Sequence, residues 1–181
     1  MTLSAVEGQV PADARAAGLP AYALYSAMLA AAGLPIYIHA PKVYAETFGI
    51  GLGALGVALF FLRLIDLVQD PVLGWIAARL GPARPAAAAI AAGMMAGAMI
   101  GLFAVTPPVA PLVWFAAMLF VLFTAYGFLS IAFYGLGVAR ADGMGHGGHL
   151  RLAAWREGGA LLGVCAAAIA PVLSDTLTGA P

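Results

Sequence analysis

The chain has 181 residues, of which 64% are hydrophobic and 9% charged, and 8 basic side chains balance 8 acidic ones. Soluble domains contain roughly 45–50% apolar and about 25% charged residues. The composition therefore excludes a soluble globule, a disordered chain and a nucleic-acid-binding protein. Since a membrane span needs about 20 apolar residues, the length is sufficient for about five or six spans, and the sequence predicts an all-α integral membrane protein.

Five apolar runs predict five transmembrane helices, together forming one bundle over residues 21–173. The runs cover residues 21–41, 50–78, 86–105, 112–139 and 153–173. Residues 1–20 are predicted to form a polar tail, and residues 174–181 a short polar end. Pro35 lies inside the first run and predicts a bend there. The glycine-rich segment 140–150 is predicted to be a loop.

Basic residues in the short loops indicate the orientation. One set of loops contains the five arginines Arg15, Arg79, Arg84, Arg140 and Arg151. The opposite set contains only Lys42. The positive-inside rule then places the N-terminus in the cytoplasm of a multi-pass plasma (inner) membrane protein, with residues 174–181 outside. An outward end directly after a fifth span is unusual in a bundle of paired helices, so we expect one part of something longer.

A stripe of small residues marks the third run. Gly93, Gly97 and Gly101 recur every four residues and therefore lie on one helical face. Small residues at this spacing allow membrane helices to approach closely. The pattern predicts a packing face on this helix rather than a ligand site.

Three ionisable residues of the second run share one helical face. Arg63, Asp66 and Asp70 have the spacing i, i+3, i+7. A charge at the bilayer centre costs about 2.5–3.5 kcal/mol on insertion scales, so these groups must pair or face a water-filled cavity. Arg63 can pair with Asp66, which leaves Asp70 as a carboxylate suited to Na⁺ or H⁺. The simpler alternative is a structural ion pair with one carboxylate near the interface.

The fourth and fifth runs contribute further polar groups. Tyr126, Ser130 and Tyr134 recur at i, i+4, i+8 on one face, which suits a sugar ring as well as it suits aromatic packing. Arg156 lies at the start of the fifth run beside Glu157. An arginine at that position is also typical of a side chain that reaches to the membrane interface.

The segment from Arg63 to Trp75, with the pattern R-x-x-D-x-x-x-D-P-x-x-G-W, resembles a known family. It is similar to the second span of the glycoside–pentoside–hexuronide:cation symporters, the melibiose-permease-like branch of the major facilitator superfamily. Residues 41–49 and 151–158 resemble that family's first interhelical link and the start of its fifth span. The resemblance covers about residues 21–173 and implies the first five helices of a twelve-helix fold, in which two halves hold the substrate between them.

The resemblance also implies a cation site. Asp66 and Asp70 match the carboxylates that hold the family's cation, and Arg63 matches the adjoining arginine. Ser130 stands where melibiose permease has a further acidic residue. The implied coupling ion is Na⁺ or H⁺.

A sugar site is implied in the same way. Tyr126 and Tyr134 match aromatic positions that contact sugar in the family, and Arg156 matches its sugar-binding arginine. Ala30 stands where melibiose permease has the first-span carboxylate that binds galactosides. These residues define the substrate-binding set that the resemblance predicts.

We therefore expect the N-terminal part of a cation-coupled secondary transporter for a sugar or glycoside-like solute, working by alternating access without covalent chemistry or a cofactor. The expected partners are the solute, the lipid bilayer and a missing C-terminal half or second subunit. The alternatives are a superfamily transporter of a lipid or drug-like solute and a truncated membrane protein that does not transport. His146 and His149 lack further ligands, so no metal site is expected.

Overall fold

The computed structural model describes residues 18–145 and 147–178, with the side chains of residues 34, 35 and 171–178 outside that description. In these residues the chain forms five helices long and apolar enough to cross a membrane, and no strand. They are α1 (Leu19–Phe48), α2 (Leu52–Arg79), α3 (Arg84–Phe103), α4 (Pro111–Gly143) and α5 (Gly148–Thr178). The predicted fold class, an all-α membrane protein with five spans, is confirmed.

The turn between α4 and α5 is shorter than predicted. Because α4 continues to Gly143 and α5 begins at Gly148, the expected loop over residues 140–150 is wrong. Gly145 and Gly147 have φ angles of 70° and 83°, in the left-handed region that glycine enters without strain. These two residues reverse the chain within one short turn, so a long loop is not needed.

The ends of the chain also differ from the prediction. α5 remains helical to Thr178, where the sequence predicts a polar end from residue 174. Hydropathy marks the part of a helix that lies in lipid, but helical hydrogen bonds continue past it into the interface. The helix ends therefore do not define the membrane surfaces, and the predicted span boundaries stay predictions. Residues 1–17 of the predicted tail lie outside the described residues, and α1 begins at Leu19.

α1 changes its hydrogen-bonding pattern halfway along. A π turn at Pro35–His39 separates the α-helical segments Leu19–Leu34 and Ala40–Phe48. Proline has no backbone N–H to donate to the carbonyl four residues earlier, and its ring crowds that carbonyl. The helix therefore has a wider turn at this proline, and the predicted bend of the helix axis stays a prediction.

α1 and α5 pack closely because α5 has glycines at the contact. A Cβ added at Gly159 would overlap with the backbone carbonyl of Ala23, and one at Gly163 would overlap with that of Ala27. Both helices thus present small residues four positions apart, the arrangement that lets membrane helices approach most closely. This pair of helices forms one side of the bundle.

In the part of the chain that the structure describes, only Gly101 of the α3 glycine stripe lies at a helix contact, and the packing role of Gly93 and Gly97 stays a prediction. In the described residues, no atom lies within 4 Å of a Cβ built at Gly93 or Gly97, whereas one at Gly101 would lie 2.6 Å from Met118 Sδ. α3 instead packs against α4 through a different face. The buried side chains of that face are Ala91, Met95, Ala98 and Leu102. Regular spacing identifies a face of small residues, but it does not determine which face of the helix points toward its neighbours.

α4 is the central helix and contacts each of the other four. Its apolar residues form much of the core, including Phe115 and Phe133, which are fully buried. Phe133 stacks on Tyr22 of α1 with ring centroids 4.2 Å apart. α2 packs against one side of α4, so the polar face of α2 stands opposite the polar face of α4.

Candidate functional site

The polar faces of α2 and α4 enclose a cavity of about 420 Å³. The residues predicted for the cation and sugar sites that line it are Arg63, Asp66, Asp70, Tyr126, Ser130 and Tyr134. The structure thus brings together six of the seven residues that the sequence singled out. Tyr37 reaches the same cavity from α1.

The arginine of α2 is held by groups from three helices. Arg63 Nη1 donates a hydrogen bond to Asp66 Oδ2 at 3.3 Å, so the ion pair predicted from the i, i+3 spacing is present. Arg63 Nη2 donates to the hydroxyl of Tyr37. Its guanidinium carbon also lies 4.8 Å from the ring centroid of Tyr37 and 5.1 Å from that of Phe123 on α4. Cation–π attraction adds to the ion pair at both rings.

Asp70 has a different environment from Asp66. In residues 18–145 and 147–178, no basic group lies within 4 Å of its carboxylate. It faces the backbone of α4 at Gly127, where a Cβ would lie 3.1 Å from Asp70 Oδ1. The cavity therefore contains one positive charge and two negative charges, and the uncompensated carboxylate is Asp70.

Tyr134 connects the main cavity to α5. The guanidinium carbon of Arg156, the seventh predicted residue, lies 5.8 Å from the centroid of the Tyr134 ring. Both side chains line an adjoining cavity of about 150 Å³, to which Ala30 of α1 also contributes. Both also line a third space of about 130 Å³ that extends toward His149. The predicted sugar-binding residues therefore form one continuous surface.

Arg156 is positioned by contacts with α1 and with its own neighbour. Ser26 Oγ donates to the backbone carbonyl of Arg156 at 2.8 Å. The guanidinium forms an ion pair with Glu157, with Nη2 2.6 Å from Oε1. With Glu157 also lining the 150 Å³ cavity, the pair faces this space.

Sequence reasoning missed Tyr37, Phe123 and Gly127. The i, i+4, i+8 face of α4, extended by one turn, contains Phe123 and Gly127, so helical periodicity could have identified both. Tyr37 lies inside the π turn, where the 3.6-residue period no longer applies. No pattern in the sequence assigns Tyr37 to the cavity.

Metal-ligating side chains are sparse in the part of the chain that the structure describes. No group of three His, Cys, Asp or Glu side chains there could hold a metal ion. His149 instead pairs with Asp142 across the α4–α5 turn, with Nε2 3.1 Å from Oδ1. His146, the other histidine considered for a metal, lies outside the described residues.

Five membrane-spanning helices around a charged, hydroxyl-rich cavity define a multi-pass membrane protein with the architecture of a solute transporter. The family described as MFS/sugar transport protein matches residues 18–179, and the chain belongs to this family. No curated protein and no solved structure matches it. The family resemblance inferred from the α2 motif is confirmed, and the protein is a transporter of the MFS type.

Proposed function

We propose that the protein takes part in cation-coupled uptake of a sugar or glycoside-like solute by alternating access. One observation supports this above the others. A single cavity contains the carboxylates of α2 opposite the tyrosines and serine of α4. Its volume lies within the range of roughly 300–1,000 Å³ that small-molecule sites usually have.

The coupling cation, Na⁺ or H⁺, is proposed to bind at Asp66 and Asp70. These carboxylates lie one helical turn apart, and Arg63 compensates only one of them. An uncompensated charge inside a membrane protein is costly, so such a group is a functional site by default. A cation at Asp70 would balance the charge of the cavity.

The solute is proposed to bind along Tyr126, Ser130, Tyr134 and Arg156. The two rings offer apolar faces for a sugar ring, and their hydroxyls can both donate and accept hydrogen bonds. Arg156 adds guanidinium donors at the far end of this surface. Since the cation and solute positions share one cavity, binding of either would strengthen binding of the other by the same factor.

The cavity is also proposed to need a second wall. Arg63 lines the cavity and its side chain is 54% exposed, and a charged group that faces hydrocarbon is costly. In transporters of this architecture, the solute lies between two groups of helices that move against each other. The second group would come from the remainder of a longer chain or from a second copy of this one.

Substitution of one carboxylate tests the proposal. Asp70→Asn removes the uncompensated charge and should abolish cation-driven accumulation while leaving the protein in the membrane. The measurement is uptake of a panel of radiolabelled monosaccharides, disaccharides and uronates by cells producing the protein, under imposed Na⁺ or H⁺ gradients. Asp142→Asn is the matched control, because Asp142 is an exposed aspartate in the last turn of α4, away from the cavity.

Two outcomes would contradict the proposal. Accumulation by Asp70→Asn with an unchanged cation dependence would reject the cation site. Transport by the wild type of a lipid or drug-like solute, with no sugar of the panel carried, would reject the substrate class.

A further inference from the structure

Tyr37 contacts the charged group of α2 from the opposite side of the cavity. Its hydroxyl accepts a hydrogen bond from Arg63, and its ring lies beneath the guanidinium. The same ring stacks with Phe123 of α4, with centroids 5.9 Å apart. The guanidinium is therefore the point at which α1, α2 and α4 meet.

Arg63 has two carboxylates on its own helical face. Asp66 lies one turn away and Asp70 two turns away, and a long arginine side chain can extend toward either. In the structure the guanidinium is with Asp66, at 3.3 Å. The groups that hold it there, besides Asp66 itself, are Tyr37 and Phe123.

We propose that Tyr37 is a positioning residue that holds Arg63 on Asp66 and so keeps Asp70 free of a positive charge. This inference rests on the proposed function, since a free Asp70 matters for transport only if that carboxylate binds the coupling cation. An arginine that moved onto Asp70 would compete with the cation for the same oxygens. Tyr37 thus sets the availability of the cation site without being a cation ligand.

Each part of Tyr37 contributes a separate element of this arrangement. The hydroxyl supplies a directional acceptor, which fixes one nitrogen of the guanidinium. The ring attracts the cation through its π face, and stacking on Phe123 fixes the ring. Tyr37 is 44% exposed, so its hydroxyl does not need the arginine to satisfy a buried polar atom. Its bond to Arg63 is therefore not explained by core packing.

Chemical labelling of the two aspartates tests the inference without knowledge of the solute. Dicyclohexylcarbodiimide modifies intramembrane carboxyl groups in their protonated form, which pairing with an arginine disfavours, and peptide mass spectrometry can measure Asp66 and Asp70 separately. In membranes containing the wild-type chain, we expect Asp70 to be labelled and Asp66 to be protected. Tyr37→Phe keeps the ring and removes the hydroxyl. Loss of a hydrogen bond to a charged group should change the ratio of Arg63 paired with Asp66 to Arg63 paired with Asp70 by about tenfold. Asp70 labelling should therefore fall by up to that factor, while Asp66 labelling rises.

Two further variants separate positioning from general damage. Tyr25→Phe is the matched control, because it removes another hydroxyl from α1 whose bond, at 3.0 Å, goes to the carbonyl of Leu129. It should label like the wild type. Tyr37→Phe combined with Arg63→Gln should restore Asp70 labelling, because no arginine remains to move onto it. A structural defect caused by Tyr37→Phe would not be rescued in this way.

The outcomes distinguish the inference from the proposed function. Equal Asp70 labelling in the wild type and Tyr37→Phe, or no restoration in the double variant, would overturn the role of Tyr37. Protection of wild-type Asp70 by added NaCl but not by choline chloride supports a Na⁺ site, and labelling of Asp70 that persists to a higher pH than that of the exposed Asp142 supports an H⁺ site. If neither result is obtained, the cation site is rejected, and the variants still report whether Tyr37 controls Arg63.

Discussion

Asp70 of α2 lies close to the backbone of α4 at Gly127. A Cβ at Gly127 would lie 3.1 Å from Asp70 Oδ1 and 3.4 Å from Leu73 Cδ1. The first distance is shorter than an ordinary van der Waals contact, so the carboxylate would have to move by a few tenths of an ångström. A glycine at this position therefore determines how closely α4 can approach the proposed cation site.

Gly127→Ala should weaken cation binding selectively. Overpacking costs about 1–3 kcal/mol, so the cation concentration that gives half-maximal uptake should rise by about fivefold or more. Gly135→Ala, on the same helix, is the control, because nothing lies within 4 Å of a Cβ there. The measurement is uptake as a function of cation concentration for both variants. A cation dependence identical in the two would show that the contact with Asp70 has no effect on the site.

The grouping of the cavity residues could be predicted only where helical periodicity holds. Arg63, Asp66 and Asp70 share a face because a regular helix repeats every 3.6 residues, and their convergence follows from the sequence. Tyr37 could not be placed, because the π turn breaks that period. Gly127 has no side chain whose chemistry would mark it. The roles proposed for these residues stay predictions until they are measured.

At the scale of helices, the contact between α1 and α5 determines where Arg156 lies. Gly159 and Gly163 bring the α5 backbone against Ala23 and Ala27. One turn before Gly159, the carbonyl of Arg156 accepts the hydrogen bond from Ser26. Close backbone packing thus fixes the guanidinium relative to α4 and the proposed sugar surface.

Gly163→Ala should separate α1 from α5 and destabilise the protein. The new methyl group would overlap with the backbone of α1, which cannot move away as a flexible side chain could. We expect a loss of about 1–3 kcal/mol, measured as a lower Tm of the purified protein in detergent. Gly158→Ala on the same helix has open space and should be neutral or slightly stabilising, since alanine favours helix more than glycine does. Equal Tm values for both variants would argue against this contact as a packing site.

The comparison of two glycine stripes shows what could be predicted about helix packing. Gly93 and Gly97 of α3 have the same four-residue spacing as Gly159 and Gly163 of α5, yet only the α5 pair contacts another helix in the described residues. Both stripes consist of glycine, so neither residue size nor helix propensity distinguishes the one that packs. The rotation of a helix about its axis is decided by the whole set of neighbours, so spacing identified candidate faces but not the one that packs.

At the scale of the whole molecule, arginines gather at the helix ends predicted to face the cytoplasm. Arg84 Nε donates to the carbonyl of Ala77 at 2.7 Å, and Arg140 Nη1 donates to that of Gly18 at 2.6 Å. The carbonyl of Ala77 lies in the last turn of α2, where carbonyls lack helical partners and carry partial negative charge. That of Gly18 lies at the start of α1 and also accepts a bond from the backbone N–H of Tyr22, so Arg140 joins the end of α4 to the start of α1.

Thiol labelling tests the proposed topology. Single cysteines at Gly147 and at Thr178, each in a Cys165→Ala background, should differ in reactivity toward a membrane-impermeant reagent on intact cells. Only the Thr178 site should react, because the positive-inside rule places the α4–α5 turn in the cytoplasm. Permeabilised cells should label both sites, which confirms that each cysteine is accessible. Labelling at Gly147 alone in intact cells would reverse the orientation and the side on which the cavity opens.

The π turn at Pro35–His39 divides α1 into two parts with different freedom. The part before it is fixed to α5 by close backbone contact, and the part after it contains no such glycine contact in the described residues. In a π turn each N–H bonds to the carbonyl five residues earlier, whereas in an α-helix it bonds to the carbonyl four residues earlier. A change from one pattern to the other would therefore rotate the segment after the turn by about 100°, the rotation per residue of an α-helix. Tyr37 lies inside the turn that would be exchanged, so the same rearrangement would change its position relative to Arg63 without unfolding α1. Slow deuterium uptake along residues 19–34 with faster uptake at residues 35–39 would identify this turn as the pivot of the helix.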